Sequence, residues 1–124
     1  MFVSPLIDRL AGADRPAEMR PDWVPHPTFA GVRLARLVAP ADSDGALMTL
    51  LVSLAPHARM EPHRHDRQTE QHLVLAGRGR LMLEGAERLY EPGSLVVIGE
   101  GKEHSVVAGE DGMMLLATFT PASA

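Results

Sequence analysis

From Val32 to the C-terminus, short runs of apolar and β-branched residues recur every eight to twelve residues or so, with turn residues between them. The runs are Val32 to Val38, Leu47 to Ala55, Gln71 to Ala76, Arg80 to Glu84, Glu87 to Tyr90, Leu95 to Ile98, Ser105 to Ala108 and Met113 to Thr120. No helical segment of any length interrupts them. This spacing predicts an all-β sandwich or barrel. Turns are expected at Ala39 to Gly45, at Gly77 to Gly79, at Gly85-Ala86 as a two-residue hairpin, and at Pro92-Gly93. Several strands are apolar on both faces, which suits a barrel wall with a second layer against its outside.

The first thirty residues read differently. Five prolines between Pro5 and Pro27 argue against long regular elements. Ser4 can cap a short helix with Pro5 at its first position, Leu6, Ile7 and Leu10 on its apolar face, and Gly12 as its stop. An extended arm should follow, docked through Trp23 and Phe29. At 124 residues the chain has room for one domain. Residues 1–31 are expected to form a helix and arm belonging to the same domain as a barrel over 32–120.

Composition narrows the chemistry. The absence of cysteine excludes a disulfide framework, a thiolate zinc site and a cysteine nucleophile, and fits a cytoplasmic protein. A net charge of −4 argues against electrostatically driven nucleic-acid binding. No apolar run is long enough to span a bilayer, and the first ten residues do not read as a secretory signal. Histidine placement is uneven: five of the six lie between His57 and His104.

The informative stretch is Glu61-Pro62-His63-Arg64-His65-Asp66-Arg67-Gln68-Thr69-Glu70. On a strand His63 and His65 share a face, about 7 Å apart, and can converge on one ion at about 2.1 Å from each nitrogen. Glu70 opens the next strand across from them, and His104 follows the Gly99-Glu100-Gly101 turn as a fourth ligand. Three imidazoles and one carboxylate suit one divalent transition metal (Fe, Mn, Ni, Cu, Co or Zn), with a coordination position left open for substrate. His72 shares Glu70's parity and is the candidate catalytic residue, for acid–base work beside the metal. The alternative is a core histidine with its hydrogen bonds satisfied. Arg67 and Arg80 are candidates for gripping a substrate carboxylate, though a solvated role suits them better.

These residues resemble two motifs of the cupins, which are small jelly-roll barrels. The first motif is a glycine, five residues, His-x-His, three or four residues, Glu, six residues and Gly; His63, His65, Glu70 and Gly77 fit it, with His57 in place of the leading glycine. The second is a glycine, five residues, Pro-x-Gly, two residues, His, three residues and Asn; Gly93, Gly101 and His104 fit it, with Gly99 for the proline and Ala108 for the asparagine. The resemblance covers roughly Val32 to Phe119. It implies a cupin-type double-stranded β-helix and a metal at His63, His65, Glu70 and His104. It also implies a metal-dependent enzyme acting on a small organic substrate. Oxygenase (dioxygenase-like oxidoreductase) chemistry is its first choice, followed by isomerase, cyclase, lyase or decarboxylase chemistry. The alternative is a non-enzymatic metal- or ligand-sensing protein that regulates a partner. A homodimer is expected, because an uncovered apolar sheet face usually marks an interface.

Histidines bind metal only when neutral, so protons compete with metal at three of the four expected ligands. Metal release on acidification should therefore begin below roughly pH 6. Its midpoint should move to lower pH as free metal is raised. Dialysis from pH 8 to pH 4 at two metal concentrations checks this; a midpoint that ignores metal concentration would mean that release reports unfolding instead.

Overall fold

The computed structural model describes residues 2–123. Helix α1 (Pro5–Leu10) is followed by strands β1 (Trp23–Pro25), β2 (Val32–Val38), β3 (Met48–Leu54), β4 (Arg59–His63), β5 (Thr69–Leu83), β6 (Ala86–Tyr90), β7 (Leu95–Ile98) and β8 (His104–Thr120). All strand pairings among the described residues are antiparallel. No helix among them is long and apolar enough to cross a membrane.

The barrel depends on two long strands that serve both of its layers. The first half of β5 pairs with the C-terminal half of β8, and its second half with the N-terminal half. One layer then runs β1, β2, β3, β8, β5, β7, and the other β4, β8, β5, β6. The segments expected as Gln71 to Ala76 and Arg80 to Glu84 are thus one strand, and Ser105 to Ala108 and Met113 to Thr120 are another. Gly77 does not end the strand. Its left-handed φ of 78° bends β5 from one layer to the other while pairing with β8 continues through register shifts between Val74 and Ala76 and between Gly77 and Gly79. Residues 109–112 bulge out opposite this bend, since Gly77 pairs with Met113 and Gly79 with Ala108. The hairpin after β5 is centred one residue earlier than expected. Leu83 pairs with Ala86, so Glu84 and Gly85 turn the chain, at φ 48° and 80°.

Alternation along the strands sends side chains to two separate clusters. The inner core contains Val32, Val52, Leu54, Val74, Leu81, Tyr90, Ile98, Val106 and Leu115. The outer face of the first layer carries Ala35, Leu51 and Met114, against which Ile7, Phe2, Leu10 and Trp23 pack. So strands apolar on both faces find their second layer in the chain's own N-terminal segment. Helix α1 forms as expected: the Ser4 side chain accepts from the Ile7 N–H, and Pro5 sits in the first turn. Ile7 is buried and Leu10 packs, but Leu6 is 58% exposed and is not part of the apolar face. Trp23 pairs with Ala35 on β2, which ties the arm to its own barrel, and Phe29 packs on the inner core.

His57 occupies the leading-glycine position of the first motif, and its φ of 63° explains the preference for glycine there. Ala58 N–H donates to Ala55 C=O at 2.9 Å, which closes a turn with Pro56 and His57 at its centre. A left-handed conformation costs a residue with a Cβ about 1 kcal/mol or more, partly offset by the entropy a glycine loses on folding. His57→Gly should therefore raise stability by up to about 1 kcal/mol. Gly77→Ala should lower it by about 2–4 kcal/mol, because its φ is positive and a Cβ there would collide with the Gly112 carbonyl. Urea denaturation of both variants checks the pair, and a destabilised His57→Gly would contradict this reading of the turn.

Candidate metal centre

Glu70 lies near the start of β5, between Ile98 of β7 and Phe119 of β8. Its neighbours across the barrel wall are in register, since Phe119 pairs in turn with Met48 of β3. Inward parity and full packing bury the Glu70 carboxylate. His104 opens β8 and pairs with His63, the last residue of β4. His65 lies beyond the end of β4, in the connection to β5, so strand alternation alone does not aim it. The Gly101 N–H donates to the His65 carbonyl at 2.9 Å, which ties that connection to the turn before His104. The two motifs are thereby joined through the backbone.

One ligand atom from each of His63, His65, Glu70 and His104 can be chosen so that all lie within 4.8 Å of one another. Atoms bound to one ion at about 2.1 Å sit roughly 3–4 Å apart, so small side-chain movements complete the arrangement. The backbone fixes which nitrogens face inward. His63 Nδ1–H donates to the Glu61 carbonyl at 2.7 Å, and His104 Nδ1–H donates to the Lys102 carbonyl at 3.0 Å. Each neutral ring then turns a lone pair on Nε2 to the centre, as a metal ligand requires.

Glu70 Oε1 is where these groups meet, 3.2 Å from His104 Nε2 and 3.4 Å from His65 Nε2. Yet Glu70 Oε1 and His104 Nε2 are both buried without a hydrogen-bond partner. Two buried acceptors facing each other are costly unless a cation lies between them. A divalent ion fits this donor set. Burial works against charge on His104, but Glu70 and the Lys102 carbonyl outweigh it and raise its pKa above the ordinary histidine value. Burial likewise acts to raise Glu70, but contacts from His104, His65 and His72 outweigh it and hold the carboxyl well below its usual range. Burial lowers His63, and the neighbouring His104 adds to that.

His72 sits behind Glu70, not in front of it. It is 1% exposed, and its Nε2–H donates to Glu70 Oε2 at 2.7 Å. In the neutral ring Nδ1 then accepts from the Tyr90 hydroxyl at 2.9 Å. Burial, with the Glu70 charge second, pushes the Tyr90 phenol up and keeps its proton on oxygen. This chain leaves Oε1 as the inward-facing oxygen of Glu70.

Towards the mouth, Phe119 packs edge-on against His65 at 5.3 Å, and Phe29 lies 5.3 Å from His63. His26, which the sequence did not single out, stacks on Phe29 at 4.6 Å. Its Nδ1 accepts from the N–H groups of Thr28 and Phe29 at 3.0 and 3.2 Å, which leaves Nε2–H as a fixed donor. Pro25 and Pro27 around it were legible as part of an extended arm, but its approach to the centre arises only when Phe29 meets His63 at the end of β4. Arg80 pairs with Glu87 on the surface, and Arg67 is exposed, so neither lies among the converging ligands.

In metal-free protein Glu70 contributes stability above its unfolded pKa of about 4.3, and this is lost as pH falls through its lower folded value. His104 contributes in the opposite sense, below about pH 6.5, while His63 is shifted the other way and partly offsets it. Glu70→Gln should therefore flatten the acid limb of metal-free stability between roughly pH 5 and pH 3. Tyr90→Phe, which orphans a buried nitrogen of His72, should cost about 1–3 kcal/mol and weaken metal binding about 10-fold. Urea denaturation against pH and competitive metal titration check both, and an unchanged acid limb in Glu70→Gln would contradict the reading of the carboxylate.

The sequence matches the cupin-domain family over residues 50–119, more than half of the chain. It is 33% identical over 75 residues to the pectin degradation protein KdgF of Dickeya dadantii, covering 60% of this chain and 68% of that protein. It is 30% identical over 98 residues to the dimethylsulfoniopropionate lyase DddW of Ruegeria pomeroyi, covering 78% of this chain and 64% of that one. The solved structure of KdgF from Halomonas sp. superposes with a TM-score of 0.72 at 26% identity, over 81% of this chain and 86% of that one. The matched span contains all four converging side chains, the whole of β5 and all but the last residue of β8, and the chain belongs to the cupin-domain family.

Proposed function

We propose that this protein is a metal-dependent enzyme acting on a small organic substrate, with bond-breaking chemistry of the lyase type ahead of oxygenase chemistry. The observation that carries this is the buried, unpartnered pair of Glu70 Oε1 and His104 Nε2 at the meeting point of four ligand side chains. The similarity to a lyase and to a pectin degradation protein supports an enzyme over a sensor, and supports the choice of lyase chemistry over oxygenase chemistry.

A divalent ion bound there supplies Lewis-acid chemistry to a coordinated substrate. The chain's own groups do the rest. The Glu61 and Lys102 carbonyls hold His63 and His104 in the tautomer that offers Nε2. His72 and Tyr90 orient Glu70, which makes His72 a positioning residue in this reading, since both its nitrogens are engaged away from the mouth. Phe29 and Phe119 set apolar rings against His63 and His65, and Met48 packs on the same core.

Elemental analysis of protein purified without added metal, followed by assays for elimination products and for oxygen uptake, tests this. We expect about one first-row divalent ion per chain. Turnover should proceed without oxygen consumption, and a His63→Ala/His65→Ala variant that still folds should lose both metal and turnover. Stoichiometric oxygen uptake would replace the lyase reading with an oxygenase. Failure to retain Fe, Mn, Ni, Cu or Zn after loading would overturn the proposal.

A further inference from the structure

One guanidinium lies where a substrate of this site would extend. Val32 and Leu34 of β2 pack on the inner core, and strand alternation puts Arg36 on the same side of the strand, at its solvent-exposed end. Arg36 pairs with Leu50, Leu50 with Ala117, and Ala117 with His72, so it stands in the row of the barrel wall next to that of Glu70, Phe119 and Met48. It lines a cavity of about 390 Å³ together with Asp22, Val24, Leu34, Met48 and Leu50. That volume lies within the ordinary range for small-molecule sites. Met48 is shared between this cavity and the row of Glu70, two strand spacings away, which puts the cavity on the order of 10 Å from the ligand cluster.

Arg36 is chemically free. Arg9, Arg59, Arg78 and Arg80 each pair with a carboxylate, and Arg20 is held by backbone carbonyls. Among the described residues Arg36 makes no ion pair or hydrogen bond. The nearest acid by register is Asp22, one position beyond the Trp23–Ala35 pair, and it lines the same cavity without forming an ion pair to Arg36. The other walls are aliphatic. A lone planar cation on an apolar wall favours a carboxylate held by paired hydrogen bonds.

We propose that Arg36 binds a carboxylate of the substrate, so that the substrate is a small organic acid with its anionic end in this cavity and its reacting end at the ligand cluster. This rests on reading the cluster as a metal-dependent active site, and it adds the substrate class and a specificity-determining residue. Asp22 competes for the same guanidinium and weakens anions that bind there.

The test is calorimetric binding of pimelate, a seven-carbon diacid, and of its neutral diamide. Wild type, R36Q, R36K and D22N are each measured after nickel loading and after treatment with EDTA, with metal content determined on the same samples. R36Q should weaken pimelate about 10-fold in both states, with metal content unchanged. R36K should recover part of the loss, D22N should bind more tightly than wild type, and the diamide should show no dependence on Arg36. Equal pimelate affinity in wild type and R36Q would overturn the proposal. An equal loss for the diamide, or no measurable binding of pimelate to wild type, would do the same. Failure to retain nickel would count against the metal reading alone, because the EDTA-treated samples still report on Arg36.

Discussion

A buried carboxylate with one oxygen bonded and the other bare constrains everything around it. Glu70 Oε2 accepts from His72, while Oε1 faces His104 Nε2, whose ring proton is drawn off to the Lys102 carbonyl. Leaving such groups unsatisfied costs on the order of several kcal/mol, so the arrangement is stable only with a cation at its centre. The upward shift of His104 favours a proton there in the metal-free protein, at the place where a divalent ion would bind. Proton and metal therefore compete for one position, and His104, raised by Glu70, is where the competition is felt.

The barrel is built so that these groups arrive from different directions. Glu70 comes from one layer, His63 and His104 from the other, and His65 from the connection between them. Only strands that cross between layers hold both sides at fixed separation, and β5 and β8 do so by bending at Gly77 and across residues 109–112. The outer cluster of Ile7, Ala35, Leu51 and Met114 makes the first layer a two-sided wall. That leaves its inner face free to carry the polar side chains of Glu70 and His72 on β5 among apolar neighbours.

Much of this was legible because two periodicities coincide in the sequence. The spacing of His63, His65, Glu70 and His104 named the four side chains that converge, and strand alternation put Val74 and Val106 in the core, where both are buried. Other features depend on long-range contacts that no local pattern carries. Gly77 reads locally as a strand end, but pairing with β8 on both sides turns it into a bend. His65 reads as part of a strand, yet it is held by Gly101, far along the chain. Tyr90 reads as the end of a hairpin strand, and only folding brings its hydroxyl to His72. His26 lies in a proline-rich loop whose destination depends on Phe29 finding His63. That α1 and Trp23 pack on the outer face of the first layer likewise depends on contacts far apart in the chain.

X-ray absorption spectroscopy of the metal-loaded protein is the most direct test of whether the four side chains form one metal centre. The account predicts about one ion per chain, bound by three imidazole nitrogens and one carboxylate oxygen near 2.0–2.2 Å. Glu70→Ala and His104→Ala should each remove one scatterer of the corresponding kind or abolish binding. A spectrum showing fewer than two imidazoles, or one unchanged in both variants, would contradict it.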